Sequence, residues 1–188
     1  MPSINDIITE INKKIPVITG SSINGVAISA LRSEKKQPVV YGIKEGMSVA
    51  VDDKYSVILY HKLNTLNVSY KAKEGYGRGL GVIVNSYGCQ MIIFLNRKRL
   101  AWTVDELFTY LQASIPNILL QQNGQTLEPY KQIIFQITSA VLNDETVWAQ
   151  EYSESYRLPP EHNLFQINYT VEAAFEKDCF INCPEETN

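Results

Sequence analysis

Phe165-Gln166-Ile167-Asn168-Tyr169-Thr170-Val171-Glu172-Ala173-Ala174-Phe175 is the stretch on which the reading of the fold turns. Phe165, Ile167, Tyr169, Val171, Ala173 and Phe175 alternate with Gln166, Asn168, Thr170, Glu172 and Ala174, so an extended chain here has an apolar face and a polar one. The pattern predicts a long strand with one face in a core and the other meeting water or a neighbour. Upstream, Lys131–Leu142 is β-rich, with Ile133, Phe135, Ile137 and Val141 on one face. Asn143–Thr146 is expected to turn the chain, and Val147–Tyr152 to return as the paired strand. Pro159-Pro160 interrupts regular pairing before the alternating stretch.

Two helices stand out further toward the N-terminus. Ser3 with Asp6 three residues on marks a helix start, and Ile4, Ile7, Ile8, Ile11 and Ile15 form one apolar stripe that Pro16 ends. Thr103 and Glu106 make a second capping box, with Trp102 placed to staple onto Leu107. Val104, Leu107, Phe108, Leu111 and Ile115 repeat the apolar spacing, and Pro116 follows as a stop. Between the helices, residues 26–30, 39–41, 47–51, 55–63, 81–84 and 90–96 read as strands. No regular βαβ alternation and no repeat of 20–50 residues is present.

This order predicts an α+β fold with a mostly antiparallel or mixed β-sheet and two main helices packed on one face. The opposite face is then available for assembly. One domain over residues 1–188 suffices to bury a core, with a mobile Gly-rich loop near 71–81 and a frayed acidic tail at 184–188.

Charge is distributed unevenly. The first hundred residues carry 14 Lys/Arg against 7 Asp/Glu, and the remaining 88 carry 3 against 13. Oppositely charged halves favour head-to-tail contacts between copies, and such contacts make a ring when they close. The alternative is that the two blocks interleave in space and leave no dipole. No run reaches the roughly 18 apolar residues of a membrane span, and Met1–Lys13 lacks the pattern of a signal peptide, so no membrane partner and a cytoplasmic site of synthesis are expected.

Catalytic chemistry has little to work with. Gly75–Gly81 is Gly-rich but lacks the Gly-Lys-Ser/Thr ending of a phosphate loop and runs into a strand instead of a helix, so it reads as a hairpin tip. His61 and His162 are the only histidines, and neither sits in a nucleophile or metal motif. Cys89, Cys179 and Cys183 read as thiols with structural or incidental roles. Asp52-Asp53 and Asp144-Glu145 read as turn chemistry. No catalytic, cofactor or metal residues are assigned, and no cofactor is expected. Lys62, Lys71, Lys73, Arg78, Arg97, Lys98 and Arg99, with Tyr70 and Tyr76 among them, form a basic cluster that could track nucleic acid. The pI near 5.5 and the lack of a DNA-reading helix favour an acidic surface of a neighbouring subunit as its partner.

The layout of an N-terminal Ile-rich helix, strands through Tyr55–Leu63 and Met91–Asn96, the Thr103–Ile115 helix and the closing Leu164–Phe175 strand resembles the tailed-bacteriophage neck and tail-completion proteins, especially tail terminators and head-tail connector ring proteins. The Gly75–Gly81 loop and the acidic C-terminus match no signature of that group. The resemblance implies a non-enzymatic structural virion protein, assembled in the host cytoplasm, whose copies form a homo-oligomeric ring around the genome channel. Its partners would be itself and portal, adaptor or tail proteins, with non-specific proximity to DNA in the channel. On that reading Arg97, Lys98 and Arg99 meet Glu151, Glu154 or Glu172 of the next copy, while Tyr76 and Arg78 reach an adjacent ring. The rivals are a bacterial protein-binding adaptor module and a small-molecule enzyme.

Overall fold

The computed structural model describes residues 3–13, 21–32, 37–43, 46, 48–51, 54–72, 81–100, 102–119, 130–142, 144–152, 158 and 160–176. The elements run α1 (Ile4–Lys13), β1 (Ser21–Arg32), β2 (Gln37–Gly42), β3 (Ser48–Ala50), β4 (Val57–Ala72), β5 (Gly81–Asn96), α2 (Val104–Leu119), β6 (Tyr130–Val141), α3 (Asp144–Tyr152) and β7 (His162–Glu176). The strands form a seven-stranded mixed sheet in the order β3-β2-β1-β4-β5-β7-β6. Only the β1–β4 pair is parallel; every other neighbour is antiparallel. The fold is α+β.

β5 is the spine of the sheet. It pairs β4 along one side from Gly81 to Leu95 and β7 along the other from Val82 to Asn96. Period-two alternation then sorts the side chains. Val57, Leu59, Cys89, Met91, Ile93, Phe165, Ile167, Tyr169 and Val171 face α1 and α2, where Ile7, Ile8, Ile11, Leu107 and Leu111 bury against them. Ile58, Tyr60, Ile92, Phe94 and Leu164 face the other way, onto α3. At about 25 cal/mol per Å² of apolar surface removed from water, burial on both faces of the central strands is the main stabilising contribution.

α1 forms as its pattern predicts. The Ser3 N–H and hydroxyl both reach Asp6 Oδ2, at 2.6 and 3.0 Å, and Ile4, Ile7, Ile8 and Ile11 are all buried. The α2 box is complete: the Thr103 N–H donates to Glu106 Oε2 at 2.8 Å and the Glu106 N–H donates to Thr103 Oγ1 at 3.2 Å. Those bonds from Thr103 hold the Glu106 carboxyl below its ordinary pKa. Trp102 packs edge-on against Tyr110, with ring centroids 5.4 Å apart, one turn beyond the expected Leu107.

Three expectations are corrected. α2 runs past Pro116 to Leu119, so the proline removes one internal hydrogen bond without stopping the helix. Residues 144–152 are a helix, not a turn and a strand: Val147, Trp148 and Tyr152 are buried at helical spacing, and the acidic pair Asp144-Glu145 occupies the first turn, where the helix dipole favours it. Because α3 lies on the face opposite α1 and α2, that face is covered over its near half. The part left open carries Asn67, Ser86, Glu172 and the exposed Ile134 in one cross-strand row and Thr65, Gly88, Thr170 and Gln136 in another.

β4 is the longest departure from expectation, continuing nine residues beyond Leu63 to Ala72. A β-bulge lies between Leu63 and Thr65. It shifts the alternation by one residue, so that Leu66 pairs Tyr87 and Val68 pairs Asn85, and both share the face of α1 and α2. Without the bulge that face would carry Thr65, Asn67 and Ser69. Near the hairpin end, the Tyr70 ring lies across Gly81, where an added Cβ would sit 2.1 Å from the Tyr70 hydroxyl.

Candidate functional site

Beneath α1 a polar chain crosses the core. His61, on β4, is fully buried; its Nε2 lies 2.9 Å from Asn12 Oδ1 and its Nδ1 2.7 Å from the Tyr169 hydroxyl. Burial lowers the imidazole pKa from 6.5 to about 3, so the ring is neutral at pH 7. An amide oxygen only accepts, which puts the ring proton on Nε2 and leaves Nδ1 to accept from Tyr169. Tyr169 also hydrogen-bonds the Cys89 thiol, and burial pushes that thiol up to about 11. The bond from the neutral imidazole to Asn12 ties the end of α1 to the sheet. His162 opens β7 and is buried. Among the described residues, no group of three or more His, Cys, Asp and Glu side chains could hold a metal ion.

The charged residues singled out in the sequence fall into three sets. Arg97, Lys98 and Arg99 are exposed on the turn after β5. Two of them are tied to their own chain: Arg97 donates to the Pro160 carbonyl, and Lys98 Nζ lies 3.0 Å from Glu161 Oε1. That bond to Lys98 holds the Glu161 carboxyl below its ordinary pKa. Glu151 is turned inward on α3, its side chain 2% exposed, where it accepts from Lys62 Nζ at 2.7 Å and from the Tyr60 hydroxyl at 2.9 Å. Burial first, then the charges and hydrogen bonds around it, raises the Tyr60 pKa well above its ordinary value. Glu172 is exposed on the open part of the sheet. Glu154, Tyr76 and Arg78 lie outside the described residues, as do the tip of the 71–81 loop, the 184–188 tail, Cys179 and Cys183.

In the sheet the two sequence halves lie side by side, while α3, from the acidic half, packs over β1 and β4 of the basic half. Strands from the first hundred residues occupy β3-β2-β1-β4-β5, and those from the remainder occupy β7-β6. The blocks interleave through the pairs Lys62–Glu151 and Lys98–Glu161. At the β6 end, α2 presents an open cleft of about 570 Å³ lined by Trp102, Asp105, Glu106, Thr109 and Tyr110.

The chain matches no protein-family model, and no curated protein matches it. Among the described residues, no helix is long and apolar enough to cross a membrane.

One surface escaped the sequence reading. β1 pairs β4 only at Ser21, Ser22 and Val26, opposite Ile58, Leu59 and His61, and leaves it there. Beyond His61, β4 has β5 as its sole partner strand among the described residues, and Leu63, Leu66, Val68 and Tyr70 are exposed. The signal was present in Leu66, Val68 and Tyr70 at every second position. The bulge put them out of phase with the strand before them, which is why the pattern ended at Leu63.

Proposed function

We propose that this chain is a non-enzymatic structural protein that assembles head to tail into a closed ring, of the tail-terminator or head-tail connector kind. It works in the neck or tail of a phage virion, around the genome channel, against portal, adaptor or tail proteins. The observation that carries this reading is the sheet order, which sets the strands of the first hundred residues, with Arg32, Lys62 and Lys71 and no acid, to one side of the strands of the remainder, with Glu172, Glu176 and Lys131. Identical protomers with unlike ends attract end to end, and a contact between unlike surfaces closes into a ring when its rotation divides a full turn. The neutral, buried state of His61 and the protonated state of Cys89 agree with a scaffold role. The placement within a virion comes from the resemblance in layout.

Electron microscopy of the purified chain in dilute buffer tests the reading. Closed rings of one diameter are expected; isolated protomers, or open filaments alone, contradict it. Arg99→Glu changes an exposed cation with no side-chain hydrogen bond among the described residues, and it is expected to reduce the fraction of protomers in rings.

A further inference from the structure

We infer that the open flank of β4 receives β6 of a second copy, so that the sheet continues antiparallel from one protomer into the next. The inference rests on the ring reading and names the contact that would build it. Between Leu63 and Tyr70 the chain has no charged residue and no proline, and among the described residues its edge is blunted only by the bulge at its start. Edge strands normally carry a lysine, a proline or a covering element, because unpaired N–H and C=O groups template the addition of another strand. Here they are accompanied by Leu63, Leu66, Val68 and Tyr70, exposed at 36%, 52%, 65% and 53% and outside both buried clusters.

Two features select a second copy as the occupant. The first is direction. β4 is antiparallel to β5, β5 to β7 and β7 to β6, so β6 runs opposite to β4. A copy added head to tail with its faces aligned therefore offers an antiparallel strand. The second is the match of faces. β6 has Ile133, Phe135 and Ile137 on the side of α1 and α2, and they would continue the row of Leu66, Val68 and Tyr70. The α2 that packs on the incoming β6 would then roof that row. On the other face Gln136 and Ser139 would meet Thr65 and Asn67, with the exposed Ile134 beside them.

Light scattering on the full chain, wild type against Val68→Lys and Tyr41→Lys, tests the contact. Both residues are exposed hydrophobic side chains, but Tyr41 lies on β2, separated from β4 by β1. Val68→Lys is expected to fall to the 21.3 kDa of a single copy with its circular dichroism unchanged, and Tyr41→Lys to keep the wild-type mass. A Val68→Lys chain that assembles like wild type overturns the β4 contact and leaves the ring reading standing. A wild type that never assembles overturns both. Hydrogen exchange on the assembled wild type gives a second reading independent of any variant: the amides of residues 63–70 that face away from β5 are expected to be protected as well as those bonded to β5, and exchange of that outward set at unstructured rates overturns the contact.

Discussion

His61 illustrates how a single buried group carries both structure and a pH signature. The folded state holds it neutral with a pKa of about 3, while an unfolded chain protonates it near 6.5. The unfolded state therefore binds the extra proton between those values, and stability present above pH 6.5 is lost as pH falls toward 3. The loss is at most about 1.4 kcal/mol per pH unit in that window. Urea unfolding at pH 7 and pH 4.5 is expected to show it in wild type, and His61→Gln is expected to lack that part of the difference. Glu151 makes the complementary point. A glutamate that is buried and bonded to Lys62 and Tyr60 is part of the interior, whatever its formal charge adds to the acidic half. Glu151→Ala strands a lysine and a phenol, and is expected to cost about 3 kcal/mol in the urea midpoint because the partners left behind lose their compensation.

Among the elements, α3 matters most, because it decides how much of the second sheet face is left open. Trp148 packs edge-on against Phe94, with centroids 6.3 Å apart, and tilted against Tyr152 at 4.6 Å. Trp148→Ala is expected to destabilise the fold by about 3–5 kcal/mol, read by thermal or urea unfolding. Thr103→Ala removes the exposed α2 cap and is expected to cost only about 1 kcal/mol. α1, α2 and β7 were legible in the sequence because each repeats one period over many residues and carries its own start signal. α3 was not, since nine residues rich in Val, Trp and Tyr suit a strand by residue type, and only packing against Phe94 settles the helix. The outer half of β4 was hidden for a geometric reason: a bulge reverses the alternation at the point where the apolar spacing would have extended the strand. Of the residues nominated for contact, Arg99 and Glu172 are exposed, whereas the inward turn of Glu151 depends on the sequence-distant Tyr60 and Lys62 and leaves no local trace.

For the whole molecule, the claim is that the sheet turns an asymmetry of sequence into an asymmetry of space. The two ion pairs that cross between halves and the packing of α3 over β1 reduce that asymmetry, and the strand order keeps the two halves side by side in the sheet. Association driven by unlike ends should slow as salt rises from about 0.05 to 0.5 M, because the screening length falls from above 10 Å to a few Å. Stopped-flow scattering is expected to show that decline in rate, while strand pairing keeps the final mass unchanged. The most direct measurement is the native mass of the full chain in dilute buffer across a hundredfold range of concentration. The account predicts one discrete assembly of many copies; a mass of 21.3 kDa at every concentration would contradict it.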